Sequence, residues 1–276
     1  MENHTNTTYR DGIKLVVFDW AGTVVDYGCQ APVGAFIAGF RAKGVVVSRA
    51  TARIPMGMEK RDHIKTVASY KEVAQAWRGI HGRDVTENDI DSMYDNFASL
   101  LLGNIEEHSK LLPGVYDAVA ALRKNGVKIA ASTGYFTQAA DIVVKAAAKE
   151  GYRPDFTICS SDVPAGRPYP WMIYRSMEAL GVYPPGAVVN VGDTPVDMAT
   201  SLNAGVWSVG VAATGNQVGL AEDEVKGLDP EAYKKCLYKA HKSLLTAGAH
   251  YVIDSMAQFP AIVQKINARL VRGENP

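Results

Sequence analysis

The sequence has no excess of either charge and no long apolar run. Its 276 residues carry 29 lysine and arginine against 29 aspartate and glutamate, a formal net charge of +0 at pH 7. Without a basic surface, a protein is not expected to bind nucleic acid or an anionic membrane. No stretch is long and apolar enough to predict a membrane-spanning helix. We therefore expect neither a nucleic-acid partner nor a membrane, and we expect a small-molecule substrate.

Cysteine is also scarce. Cys29, Cys159 and Cys236 lack the spacing of a metal or redox motif, which fits a reducing compartment. Residues 1–10 are polar and lack the apolar core of a secretory signal peptide. We therefore predict a cytoplasmic protein with a loosely ordered start.

The sequence does contain an alternation of short apolar runs and amphipathic segments. From residue 113 onward this alternation predicts a parallel sheet with helices on both faces, a Rossmann-like α/β fold. An apolar run before Asp19 supplies one more strand to the same sheet. Residues 213–250 are less clear, apart from a helix over 230–247. The predicted strands are residues 15–18, 127–131, 156–159, 187–191, 207–211 and 251–254.

Residues 29–105 show helical periodicity and no strand pattern. One of the predicted helices has Val73, Trp77 and Ile80 on one face, and Thr86 can cap the next. The helical block interrupts the α/β pattern. The predicted domains are an α/β core of residues 1–28 and 106–276 and an inserted all-α helical cap of residues 29–105.

Three predicted strands end in acidic or polar residues, namely Asp19, Thr133, and Asp193 with Asp197 four positions later. The carboxyl ends of parallel strands share one edge, so these side chains can converge. Carboxylates gathered there repel unless a cation joins them, and hard oxygen ligands suit Mg²⁺. Arg167 lies in a loop before a helix and could neutralise an anion. Each residue alone is explained by a cap, a turn or a surface position, but the joint order indicates a phosphoryl site.

That order resembles the haloacid dehalogenase (HAD) superfamily of phosphotransferases, through residues 19–23, Thr133, Arg167 and residues 192–197. The resemblance implies that Asp19 is a nucleophile that forms an aspartyl phosphate. It also implies a helical cap domain. The implied Mg²⁺ ligands and the residues around them are Asp19, the Ala21 carbonyl, Asp193, Asp197, Thr194 and Thr23.

One departure bears on the substrate class. Ala21 stands where most phosphatases of this superfamily carry a second aspartate that protonates the leaving alkoxide. The carbon of a P–C bond needs no such acid if an iminium two atoms away accepts the electron pair, which requires a lysine Schiff base. Lys60 is the candidate, with His63 one helical turn later. We expect neighbouring Arg61 and a desolvated cleft to favour its neutral amine, although most lysines are solvated surface residues.

Residues 55–63, 27–29 and 162–171, with the first motif, resemble the phosphonatase family of this superfamily over nearly the whole chain. The resemblance implies cleavage of phosphonoacetaldehyde to acetaldehyde and phosphate by a homodimer. The implied site residues are Lys60 as the Schiff-base lysine, His63 and Met56 in proton transfer, Cys29 and Tyr135 on the wall of the site, and Thr133, Gly134 and Arg167 at the phosphonyl group.

Other interpretations remain open at this stage. A phosphatase of the same superfamily acting on a small phosphate ester would need a general acid from the cap, and His63 could serve. A phosphate sensor without activity is disfavoured, because it needs no nucleophile at Asp19. The apolar helix that starts at Ala31 could form a dimer seam or serve the core of the cap itself.

Overall fold

The structure is a computed structural model that describes residues 9–276, so residues 1–8 of the predicted loose start lie outside the described residues. Six strands form one parallel sheet. They are β1 (Leu15–Phe18), β2 (Lys128–Thr133), β3 (Phe156–Cys159), β4 (Val188–Gly192), β5 (Trp207–Val211) and β6 (Tyr251–Ile253).

The strand order is β3-β2-β1-β4-β5-β6. All four residues of β1 are buried, because the strand lies inside the sheet between β2 and β4. The chain leaves β1 toward β3 and later returns to place β4 on the other side of β1. This change of direction opens a crevice beyond the carboxyl ends of β1 and β4, where ligands bind in such sheets.

Within residues 9–276, twelve α-helices accompany the sheet, and the predicted α/β class is confirmed, with a helical block inserted between β1 and β2. They are α1 (Gln30–Ala42), α2 (Arg49–Arg53), α3 (Lys60–Ser69), α4 (Lys71–His81), α5 (Glu87–Asn104), α6 (Val115–Lys124), α7 (Thr137–Lys149), α8 (Trp171–Leu180), α9 (Pro195–Ala204), α10 (Glu222–Lys226), α11 (Pro230–Thr246) and α12 (Phe259–Val271).

The helical block α1–α5 lies between β1 and β2 in the chain, and its buried apolar side chains are continuous with those that cover the sheet. Phe36 of α1 stacks on Phe97 of α5 with ring centroids 4.3 Å apart. The apolar stripe of α1 therefore serves the core of the block itself. Thr86 caps α5 through a reciprocal capping box with Asp89, as the residue pattern predicted for Thr86. Ile80 was predicted on the buried face of α4 and is 52% exposed, because it lies beyond the reach of the core that covers Val73 and Trp77.

Two short helices were not predicted. Helix α2 has five residues and α10 has five, too few for a helical period to show. Within residues 9–276, no helix combines the length and the hydropathy needed to cross a bilayer.

Candidate active site

Three buried aspartates meet at the edge of the sheet. Asp19 follows β1, and Asp193 follows β4 directly beside it. Asp197 lies in the first turn of α9. One carboxylate oxygen from each of the three lies within 4.8 Å of the other two. The sheet thus brings together the acids that the sequence placed at separate strand ends.

Arg167 lies among these carboxylates. Its Nη2 is 2.9 Å from Oδ1 of Asp19, and its Nη1 is 3.0 Å from Oδ1 of Asp197. Nη2 also donates to both the carbonyl oxygen and the hydroxyl of Ser132 at 2.8 Å. Burial alone would lower the pKa of Arg167, but the carboxylates outweigh it and the pKa is raised. Ser132 had no predicted role. Its only signal was its place at the polar end of β2.

Burial raises the pKa of two of these acids, and neighbouring negative charge adds to the shift. Burial, then Asp19 and Asp197, raise the pKa of Asp193 well above its usual range. Burial raises the pKa of Asp197 to about 6, although Arg167 opposes the shift. A cation among the three carboxylates would reverse both shifts, because it favours their charged forms.

Asp193 has one oxygen that is held and one that is free. Its Oδ2 accepts hydrogen bonds from the Cys29 thiol at 3.1 Å and from the backbone N–H of Asn216 at 2.6 Å. Its buried Oδ1 has no hydrogen-bond partner in the described residues. Such an oxygen, beside two further carboxylates, fits a hard cation such as Mg²⁺. Buried Thr23 also has a hydroxyl without a partner there.

Local backbone geometry fixes the distances between these groups. Gly22 has φ +76°, and a Cβ added to it would lie 2.3 Å from Oδ2 of Asp193. Only glycine fits both the left-handed backbone and this close approach. On the other side of the cluster, Thr194 caps α9. Its hydroxyl and backbone N–H donate to Oδ2 of Asp197 at 2.5 and 3.1 Å, which holds that carboxylate against the helix start.

The helical block contributes a buried lysine at the start of α3. Lys60 is 5% exposed, its Nζ lies 3.5 Å from the carbonyl oxygen of Met58, and it lies 5.1 Å from the centroid of the Tyr135 ring. Burial lowers the pKa of Lys60. Asp19 opposes this shift, and Arg167 adds to it. The neutral amine is therefore more accessible than in a solvated lysine.

The cation that assists is not the one predicted. Arg61, the sequence neighbour, points to the surface and pairs with Asp91 at 2.7 Å and Glu87 at 2.8 Å. Adjacent residues on a helix face different directions, so sequence proximity was misleading. Arg167 acts on Lys60 from the core across the cavity.

The lysine and the acidic cluster line one small cavity. Its wall combines residues of the helical block with residues of the sheet edge. The lining residues are Asp19, Ala21, Cys29, Pro32, Met56, Gly57, Lys60, Thr133, Gly134, Tyr135, Arg167, Asp193 and Thr194.

His63, which the resemblance assigns to proton transfer, is not among the residues that line this cavity. Its ring stacks on Phe36 with centroids 3.7 Å apart, and its Nε2 lies 2.8 Å from the carbonyl oxygen of Ala52. Burial and then Lys60 lower the pKa of His63 to about 3. The imidazole is therefore neutral at neutral pH and packs inside the helical block behind the lysine.

Five further predicted residues, Cys29, Met56, Thr133, Gly134 and Tyr135, line the cavity. Cys29, Met56 and Tyr135 are buried on the cavity wall. Thr133 ends β2 and accepts a hydrogen bond from the backbone N–H of Tyr135 at 3.0 Å. Burial raises the pKa of both the Cys29 thiol and the Tyr135 phenol, so both keep their protons at neutral pH.

At Gly134 the helical block packs closely against the sheet edge. A Cβ added there would lie 2.6 Å from the carbonyl oxygen of Met58, in the loop that leads to Lys60. The loop before α3 is thus pressed onto the sheet edge. The structure shows the cavity with its two sides together.

Comparison with known proteins gives matches over most of the chain. A family model described as haloacid dehalogenase-like hydrolase matches residues 13–205. A protein of Syntrophobacter fumaroxidans named phosphonoacetaldehyde hydrolase is 42% identical over 271 residues, which cover 98% of each chain. One of Paraburkholderia phytofirmans with the same name is 44% identical over 96% of this chain and 99% of its own. The crystal structure of a phosphonoacetaldehyde hydrolase-like protein from Oleispira antarctica superposes with a TM-score of 0.96 at 36% identity, covering 100% of both chains.

Proposed function

This chain belongs to the haloacid dehalogenase-like hydrolase family, and on that premise we propose that it cleaves the P–C bond of phosphonoacetaldehyde to give acetaldehyde and phosphate. One observation carries the proposal. The buried amine of Lys60 and the carboxylate of Asp19 line one cavity, and Ala21 supplies no acid to protonate an alkoxide. The relatives' names agree with this chemistry.

The first stage of the proposed reaction takes place on the cap side. The neutral amine of Lys60 attacks the aldehyde carbon, and loss of water gives a protonated imine. Met56 on the cavity wall and His63 behind the lysine are proposed to assist the proton transfers. The buried Nδ1 of His63 has no hydrogen-bond partner in the described residues, although the lowered pKa makes this imidazole a weak base.

The second stage takes place on the core side. A carboxylate oxygen of Asp19 attacks phosphorus, and the electrons of the P–C bond move to the iminium nitrogen to give an enamine. Protonation of the enamine carbon and hydrolysis of the imine release acetaldehyde from Lys60. Water then hydrolyses the aspartyl phosphate and frees Asp19.

The phosphonyl oxygens need positive charge and hydrogen-bond donors throughout. Arg167 lies 2.9 Å from the attacking carboxylate, so its guanidinium is in position to contact a phosphonyl group there. The Thr133 hydroxyl and the Gly134 backbone, both on the cavity wall, are proposed to hold another oxygen. Cys29 and Tyr135, protonated and buried, are proposed to bound the space around the aldehyde.

We propose Mg²⁺ as the cation, held by Asp19, the Ala21 carbonyl and Asp193. The fit rests on the oxygen donors, on the unpartnered Oδ1 of Asp193 and on the spacing within 4.8 Å. When bound, it would neutralise charge on the phosphonyl oxygens and keep the carboxylates ionised. Asp197, Thr194 and Thr23 are proposed to support this cluster from around it.

We also propose that residues 29–105 form a cap that closes over a core of residues 1–28 and 106–276. Lys60 belongs to the first part and Asp19 to the second, so only the closed state holds the complete site. A closed cavity would exclude water while the imine exists.

The proposal includes a homodimer and a cytoplasmic location. Small side chains on the outer faces of α1 and α5, among them Gly34, Ala38 and Gly103, border a surface groove that a second copy could cover. Three free cysteines fit a reducing compartment. Sedimentation equilibrium would test the dimer directly.

The decisive assay compares phosphonoacetaldehyde with a panel of small phosphate esters, each with and without Mg²⁺. The proposal expects equal amounts of phosphate and acetaldehyde from phosphonoacetaldehyde, dependent on Mg²⁺, and little phosphate from the esters. Faster release from an ester, without acetaldehyde from the phosphonate, would favour the phosphate-ester phosphatase instead.

A further inference from the structure

A second contact joins the helical block to the core, behind the cavity. The side chain of Arg53, at the end of α2, is buried. Its Nη1 donates to the carbonyl oxygen of Gly28 at 2.7 Å and to Oδ1 of Asn216 at 2.9 Å. Asn216 returns a hydrogen bond from Nδ2 to the carbonyl oxygen of Arg53 at 3.1 Å. One arginine thus ties α2 to the segment after β1 and to the loop after β5.

The same asparagine also contacts the acidic cluster. The backbone N–H of Asn216 donates to Oδ2 of Asp193 at 2.6 Å, a short distance typical of a hydrogen bond to a charged group. Asn216 therefore bonds Arg53 with its side chain and Asp193 with its backbone. One buried residue thus links Arg53 to one oxygen of Asp193.

The Arg53 guanidinium is buried at a cost in free energy, which is typical of a contact that can open to water. Burial lowers the pKa of this guanidinium, and Cys29, Asp26 and Asp193 oppose the shift. Its Nη2 is buried without a hydrogen-bond partner in the described residues. A dehydrated guanidinium is costly unless acceptors surround it, so loss of the Gly28 or Asn216 acceptor would favour hydration of Arg53. Two discrete states, clamped and hydrated, are what a coupling element needs.

We propose that Arg53 and Asn216 form a clamp that couples closure of the helical cap to the orientation of Asp193. Neither residue lines the cavity, so both are positioning residues. The kinetic part of the test rests on the proposed function, and the exchange part does not.

The exchange experiment measures backbone amide exchange over residues 213–219 by mass spectrometry, on the full-length protein without added metal or substrate. Arg53→Met removes the donors and keeps the length of the side chain. Arg49→Met is the matched control, because Arg49 lies on the same helix and makes an exposed ion pair with Glu224 at 3.2 Å. We expect exchange in this loop to rise about tenfold in Arg53→Met and to stay within about twofold in Arg49→Met.

Asn216→Ala and the double variant Asn216→Ala with Arg53→Met complete a double-mutant cycle for the exchange rate. If the two residues act as one unit, the double variant exchanges no faster than either single variant. Arg53→Lys supplies a second way to disturb the clamp should Arg53→Met fail to fold, and one ammonium in place of the fork should give an intermediate rate. Unchanged exchange in the Arg53 and Asn216 variants, or an equal rise in Arg49→Met, overturns the clamp.

The kinetic experiment separates positioning from general damage. With phosphonoacetaldehyde, Arg53→Met should release phosphate about tenfold more slowly, because Asp193 is misplaced, while borohydride traps as much adduct on Lys60 as in the unmodified protein. An equal loss of trapping and of phosphate release indicates a merely structural role and contradicts the coupling. Should the unmodified protein neither trap nor turn over this substrate, the proposed function fails, and the exchange result still decides the clamp.

Discussion

The carboxylates at the sheet edge and the amine of Lys60 on the opposite cavity wall are both buried, but they differ in how many partners surround the charged group. At the sheet edge Asp19 and Asp197 pair with Arg167, and Asp193 receives two hydrogen bonds. On the cap wall, Lys60 has only the carbonyl oxygen of Met58 at 3.5 Å as a partner in the described residues. Arg167 favours the charged form of Asp197, whereas burial lowers the pKa of the lysine. A carboxylate nucleophile and an amine nucleophile can therefore work in one cavity.

The largest effect on activity is expected when the amine of Lys60 is removed. Lys60→Met keeps an apolar side chain of similar length but cannot form an imine, so phosphate release from phosphonoacetaldehyde should fall by about 10³-fold or more. Lys65→Met is the control, because Lys65 lies on the same helix in an exposed pair with Glu87. A Lys60→Met rate within tenfold of the unmodified rate would show that the amine is not required.

Removal of the carboxylate nucleophile at the sheet edge should stop phosphate release and leave the chemistry of Lys60 intact. Asp19→Asn keeps the shape of the side chain and should lower phosphate release by about 10³-fold or more. Imine formation should survive, because the negative charge that opposes the lowered pKa of Lys60 is gone. Borohydride trapping and a phosphate assay on the same sample check both halves. Normal phosphate release would exclude Asp19 as the nucleophile.

A smaller effect should follow from separating the two sides. In Gly134→Ala the added Cβ would lie only 2.6 Å from the carbonyl oxygen of Met58. The helical block therefore cannot pack fully against the sheet edge. We expect kcat/KM to fall about 10- to 100-fold, because both nucleophiles must meet one small substrate. The control Gly79→Ala adds a methyl to a helical glycine with nothing within 4 Å and should leave kcat/KM unchanged. Equal kcat/KM values for the two variants would contradict a closed catalytic state.

The smallest expected effect concerns pH and stability. The folded pKa of His63 is lowered from 6.5 to about 3, so the unfolded chain binds an extra proton between these values. The stabilisation by neutral His63 is complete above pH 6.5 and is lost as the pH falls toward 3. Relative to His63→Gln, the unmodified protein should lose about 1.4 kcal/mol of unfolding free energy per pH unit well inside this window. Urea unfolding at pH 7.5 and 5.0 measures this difference, and a constant gap would mean that His63 is not buried neutral.

The core was predictable because its signals are local. Each strand is a short apolar run, and each acid comes directly after one, as with Asp19 after Phe18 and Asp193 after Gly192. Parallel topology then brings the strand ends to one edge without any further information. The position of Thr133 at the end of β2 follows the same logic.

The cap was less predictable because its site contacts are not local. The cation that adds to the lowered pKa of Lys60 is Arg167, more than a hundred residues away, and not its neighbour Arg61. The i to i+3 spacing put His63 near Lys60 but could not show that Phe36 covers its ring. Helical spacing gives a face, and only packing decides whether that face reaches a cavity.

The clamp was invisible in the sequence for the same reason. Arg53 lies in a five-residue helix with no measurable period, and Asn216 lies in a loop of the stretch that carried no clear pattern. Their hydrogen bonds cross 163 positions of sequence. Nothing in either segment alone marks a contact with the other.

The central claim is that the buried amine of residue 60 bonds covalently to the substrate. Borohydride added to the protein with phosphonoacetaldehyde, followed by peptide mass mapping, tests it most directly. The account predicts a reduced two-carbon adduct on Lys60 and loss of activity in proportion to labelling. Continued phosphate and acetaldehyde release under borohydride, with Lys60 unlabelled, would contradict it.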